Sequence, residues 1–305
     1  MLAPLAAVLL SSMAQASPGH PAAVALGDPA QARAFDYCAA PPPTETLDDA
    51  VDAALAPDAD GVGEYQVAAA LLVRAGFQIA QAAESQRGCR SAFTAGARTF
   101  ERRLSRNTRR LRGQAAPVSS DDEQIAEVQR TIAAQWLADQ AGRMAYVELQ
   151  TDDRTGADFW AQRLATANAV TIDADSTVMM RGLLQRYDWI DSHRFGERVG
   201  AHAWILVQHA DDHPGFQTEA LERMAGYLES GGVRERDYAY LFDRVAVNTG
   251  EQQRYGTQPA DQCNEDGSLD LKPVEDIDGL DARRATMGLG PYLDELQAMA
   301  AQRCR

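Results

Sequence analysis

Apolar residues recur along most of this chain at spacings of three and four, the pattern of helices that bury one face. Across residues 46–56, Leu47, Val51, Ala54 and Leu55 line one side, between the Pro41-Pro42-Pro43 break and Pro57. Residues 65–84 are Ala-rich and carry Val67, Leu71, Leu72 and Ile79 around much of the helix. Residues 90–112 place Phe93, Ala97, Phe100, Leu104 and Leu111 on one stripe. The other faces of that helix hold Arg98, Arg102, Arg103, Arg106, Arg109, Arg110 and Arg112, which read as a solvated surface pairing with an acidic body.

Residues 113–120, with Pro117 and several small side chains, read as a linker. Ser120 followed by Glu123 has the spacing of a capping box and opens a long helix through Ile125, Val128, Ile132, Trp136, Ala141 and Met144. Further helices are predicted at 158–169, 176–187, 199–210, 216–230 and 234–248, with Gly231-Gly232 turning the last two into a hairpin. Residues 249–276 look irregular, and helices at 278–288 and 291–303 close the chain. Strand alternation and internal repeats are not evident. The pattern therefore predicts an all-α fold, a multi-helix orthogonal bundle with little or no sheet. It divides into a helical N-terminal region at 17–115 and a helical domain at 120–305.

The start of the chain changes where this fold is expected to work. Residues 2–10 form a short apolar run, and Ala14-Gln15-Ala16 is a signal-peptidase pattern, so residues 1–16 predict a signal peptide cleaved after Ala16. The usual positive residues after Met1 are missing, as a start codon assigned too far downstream would explain. Residues 17–27 then form a tail expected to have little order. No later apolar run reaches the roughly 18–20 residues of a transmembrane helix. The expected location is periplasmic or secreted. In that oxidising setting Cys38, Cys89, Cys263 and Cys304 predict two disulfides. Their distribution suggests Cys38–Cys89 and Cys263–Cys304, with the other two pairings open on sequence alone. By chain-entropy reasoning each loop closure stabilises by about 4 kcal/mol.

Among 305 residues, 44 acidic and 29 basic side chains give a net charge of −15, which argues against nucleic acid as a partner. Asp173-Ala-Asp175 begins like a calcium loop, but Val178 and Leu184 stand where Gly and the bidentate Glu belong. Gly61-Val-Gly63 follows no strand, so it is not a dinucleotide fingerprint. P-loop, G-x-S-x-G and H-E-x-x-H patterns are lacking. His209 and His213 lie four apart, yet Pro214 draws His213 away from helical geometry and a third ligand is not apparent. Neither a metal nor another cofactor is expected on these grounds.

Polar chemistry concentrates in Trp204-Ile-Leu-Val-Gln208-His209-Ala-Asp211-Asp212 with Gln217, then Asp243-Arg244-Val245, then Gln253-Arg254-Tyr255-Gly256-Thr257-Gln258. These three blocks, in this order, resemble an uncharacterised bacterial domain family marked by W-x-x-x-Q-H-A-D, D-R-V and Q-x-Y-G-T-Q. The resemblance spans about residues 121–300, and Met287-Gly-Leu-Gly-Pro-Tyr-Leu is in keeping with it. It implies no particular activity. His213 departs from the family pattern, which has Asp before that proline.

The residues themselves support two readings. In one, His209 is a general acid or base oriented by Asp211 or Asp243. Arg244 holds an anionic group. Trp204, Gln208, Gln217, Gln253, Tyr255, Thr257 and Gln258 complete a binding pocket. The chain is then an exported helical enzyme, a hydrolase of a small polar or peptide-like substrate. In the other, His209 is a satisfied histidine at a helix end, Asp211 and Asp212 cap the next helix, Asp243 and Arg244 form an ion pair, and the Gln253–Gln258 loop is pinned to the core. The chain is then a non-catalytic envelope domain that binds a ligand or another protein. Convergence of His209, Arg244 and Tyr255 in one pocket favours the first; dispersal favours the second.

Overall fold

Helical spacing becomes helix almost wherever it occurs in the computed structural model, which describes residues 20–56 and 63–304. The predicted signal peptide lies outside the described residues. The fold is all-α; among the described residues, strand-like pairing is limited to two isolated bridges, Gln253 with Val274 and Pro259 with Leu271. The chain forms two compact units, neither of them contiguous. One comprises residues up to Arg110 together with Gln140–Ile172, the other Leu111–Asp139 together with Asp173–Arg305.

The first unit contains α1 (Pro29–Ala34), α2 (Glu45–Leu55), α3 (Glu64–Ala82) and nearly all of α4 (Gln86–Leu111), with parts of α5 (Glu123–Glu148) and α6 (Gly156–Tyr187). Its centre is α3, whose Ala68, Ala69, Ala70, Leu72, Val73 and Ile79 are buried. Small residues there let neighbours approach closely. A Cβ at Gly76 would sit 2.5 Å from the Tyr37 ring. Tyr37 stacks on Phe93, meets Phe77 and Trp160 edge-on, and donates its hydroxyl to the Ala32 carbonyl at 2.7 Å. The Cys38–Cys89 disulfide joins the next residue to α4. Residues 20–27 depart from the expected loose tail. Pro21–Gly27 is a 3₁₀ turn with Ala22 and Ala25 buried, capped by the His20 ring, which accepts from the Ala22 N–H and packs on Phe77. The arginine face of α4 is exposed and partly paired: Arg103 and Arg106 reach Glu148, and Arg90 reaches Asp36.

The second unit holds the rest of α5 and α6, then α7 (Ser192–Phe195), α8 (Glu197–Gln208), α9 (Pro214–Ala225), α10 (Glu235–Asn248), α11 (Leu280–Thr286) and α12 (Tyr292–Arg303). Ile132, Met180, Leu184, Trp189, Ile190, Phe195, Leu206, Phe216, Met224 and Leu241 form its core. Two local expectations change. The cap of α5 is Asp122, whose carboxylate accepts from Gln124 and Ile125 N–H, while Ser120 Oγ accepts from Asp122 N–H one turn earlier. The segments 158–169 and 176–187 are one helix. Val170, Thr171 and Ile172 lower helix propensity only modestly, and no Gly or Pro between them breaks the ladder. The second disulfide, Cys263–Cys304, ties the irregular segment to the end of the chain. Both observed pairs are those suggested by the cysteine distribution.

Candidate functional site

Three of the polar groups in the second unit divide the candidate residues among them. The first gathers at the end of α8. His209 closes that helix, its N–H bonded to the Ile205 carbonyl, and its ring is mostly buried. The Nδ1 atom lies 2.9 and 3.1 Å from the two carboxylate oxygens of Asp139, a side chain only 1% exposed. Asp173 completes the group. One oxygen from each aspartate and one ring nitrogen of His209 all lie within 4.8 Å of one another.

This geometry follows from how three helices are registered. Ile132, Trp136 and Asp139 share one face of α5 at i, i+4 and i+7. Trp136 stacks on His202 with centroids 4.0 Å apart and planes within 4°, which sets α8 against α5. His202 and His209 are seven residues apart, so the face of α8 that meets Trp136 is the face that ends at the imidazole. Gln135 donates to Ser176 Oγ at 2.9 Å and ties α5 to α6, the helix that carries Asp173. Burial, and then the Arg198 charge, push the His202 imidazole down to about 4, so it is neutral at ordinary pH.

The second group joins α8, α9 and α10. Arg244 Nη1 donates to Asp211 at 3.0 Å, and Asn248 Nδ2 donates to Asp211 and to Gln217 Oε1. Gln217 in turn donates to the Val207 and Gln208 carbonyls and to Asp211. Asp211 is thus engaged with Arg244, Asn248 and Gln217. Trp204 Nε1, Gln208 Oε1, His202 Nδ1 and Arg244 Nε are buried and have no hydrogen-bond partner among the described residues.

The third group is the loop after α10. Asp243, fully buried, accepts from the backbone N–H of Arg254, Tyr255 and Thr257 at 2.8, 3.0 and 2.8 Å. Burial pushes its carboxyl up, while those three donors oppose the shift. Gln253 and Gln258 close the loop on itself. The Gln253 amide donates to the Gln258 and Lys272 carbonyls and its oxygen accepts from Gln258 N–H. The Gln258 amide donates to Thr257 Oγ1. From the opposite side the fully buried Arg284 donates to the carbonyls of Tyr255, Gly256 and Gly290 and to Glu295. Gly256 adopts φ +60, and a Cβ there would sit 3.0 Å from Leu280, so the clamp demands glycine.

His209, Arg244 and Tyr255 are therefore held in separate hydrogen-bonded groups. The carboxylate beside His209 is Asp139, where the sequence pointed to Asp211 or Asp243. Asp139, Asp173 and Arg284 were not singled out for these roles. Asp139 carried one legible signal, an acid on the apolar stripe of Ile132 and Trp136. Its partner lies seventy residues away, beyond any local spacing.

A sequence model of one family, a family of unknown function (DUF6624), matches residues 126–301. No curated protein and no solved structure matches the chain.

Proposed function

The chain belongs to this family of unknown function, and we propose that it is an exported hydrolase that activates water at the Asp139–Asp173–His209 cluster. The observation that carries the reading is the buried Asp139 carboxylate set against His209 Nδ1. With the proton on Nδ1 donated to Asp139, the imidazole is fixed in one tautomer and Nε2 keeps its lone pair. That lone pair takes a proton from water as the oxygen attacks, and returns it to the leaving group. Asp139 offsets the positive charge on the ring in between. Asp243, Gln253, Thr257 and Gln258 serve the reading by fixing the loop. Residues 1–16 supply the export signal of a bacterial periplasmic or secreted protein, and the two disulfides suit that compartment. Mature protein from its host should begin at Ser17; an intact Met1 would refute export.

By the convergence criterion, the separation of His209, Arg244 and Tyr255 into different groups favours a second reading, a non-catalytic envelope ligand-binding or protein-interaction domain; the enzyme reading rests instead on Asp139 and Asp173 beside His209. A thermal-shift screen of the mature protein against metabolite pools tests the first reading. At least one pool component should raise the melting temperature of the wild type and fail to do so with His209→Gln. Equal stabilisation of both proteins would move the ligand away from the cluster and favour the second reading.

A further inference from the structure

Helices α5, α6 and α8 deliver an unusual set of donors to one point. Carboxylate oxygens of Asp139 and Asp173 and a ring nitrogen of His209 lie within 4.8 Å of one another. We propose that these three side chains form a binding site for a divalent transition-metal cation. The proposal rests on the reading of this cluster as the reactive site and deepens it, a cation taking the place of the proton between His209 and Asp139.

The donor chemistry selects the ion. Imidazole nitrogen and carboxylate oxygen suit Zn²⁺ or Mn²⁺, and thiolate sites are closed because all four cysteines form disulfides. Metal–nitrogen and metal–oxygen bonds of about 2.0–2.2 Å place neighbouring donors about 3–3.5 Å apart. The Nδ1 contacts to Asp139, 2.9 and 3.1 Å, are already in that range, and Asp173 closes the triangle by a small side-chain movement. Two carboxylates and a neutral imidazole balance a doubly charged ion. The surrounding field agrees in sign, because the second unit carries 29 acidic and 16 basic residues, against 15 and 13 in the first.

Rigidity favours the site as well. Asp139 and Asp173 sit inside long helices, and His209 ends a third that the Trp136–His202 stack holds in register. Three protein donors leave coordination positions for water, the arrangement of catalytic and not of structural sites. The cation would lower the pKa of that water and polarise a substrate carbonyl. The donors come from residues 139, 173 and 209, which explains why no metal motif is visible in the sequence.

The test uses the mature protein, stripped with a chelator and titrated with Zn²⁺ and separately with Mn²⁺ by calorimetry. One equivalent should bind and raise the thermal midpoint. Asp173→Asn and His209→Gln should each weaken binding at least about tenfold. His193→Gln, remote in role and bonded to Ser230, should leave it unchanged. Electron spin-echo spectroscopy of Mn²⁺ on the wild-type protein should show coupling to one imidazole nitrogen, a readout that survives if a variant fails to fold. Absent stoichiometric binding, or absent nitrogen coupling, overturns the cation site. Turnover that persists unchanged in chelator without bound metal also overturns it, while leaving the hydrolase reading standing. Stoichiometric metal at these residues without turnover of any substrate does the reverse.

Discussion

At the scale of single residues, burial decides which polar groups can titrate and which only hold structure. His202 is 6% exposed and stacked on Trp136, and its pKa falls to about 4. Between that value and the ordinary histidine value near 6.5 the unfolded chain binds a proton that the folded chain does not. This contribution to stability is complete above about pH 6.5 and is lost as pH falls through the window toward 4, by about 3 kcal/mol at most. His202→Gln removes the titration. Denaturation midpoints of the variant should vary less between pH 7 and pH 4 than those of the wild type. Parallel pH dependence in the two proteins would place the titrating group elsewhere. The same residue shows what sequence leaves out. His202 and His209 are readable as two imidazoles on one helical face, but the tryptophan that stacks on the first and the carboxylate that faces the second lie on α5.

Elements are where the sequence is most informative, because helical periodicity records burial directly. The boundaries of α2, α3 and α10 follow the apolar spacing and its Pro or Gly stops within a residue or two. Two local readings gave way: α6 continues through a β-branched stretch that no Gly or Pro interrupts, and the Asp122 carboxylate caps α5 in place of Ser120. The Gln253–Gln258 loop was legible as a polar cluster, and pinning to the core was one of its two readings, but the partners that pin it were not legible. A carboxylate serving three backbone N–H groups and an arginine serving three carbonyls have no sequence spacing that announces them. Removing such a partner leaves buried groups unsatisfied. Asp243→Asn should therefore cost at least about 2 kcal/mol. Arg244→Lys, in a partly exposed pair with Asp211, should cost less than about 1 kcal/mol. Chemical denaturation of the two variants measures both values, and equal losses would contradict the loop-clamp account.

For the whole molecule, the all-α class is readable from the chain, and the cysteine distribution suggests both disulfide pairs without excluding the alternatives. The helices α5 and α6 each contribute to both units, so the linear order of helices does not by itself define them. Among the described residues no helix is long and apolar enough to cross a membrane. The central claim is that water is activated at the Asp139–Asp173–His209 cluster. Its most direct test is mass spectrometry of metabolite pools incubated with the mature protein in heavy-oxygen water. The account predicts a product that carries one solvent oxygen and is missing when Asp139→Asn or His209→Gln replaces the wild type. A labelled product formed equally by those variants, or no labelled product from any pool, would contradict it.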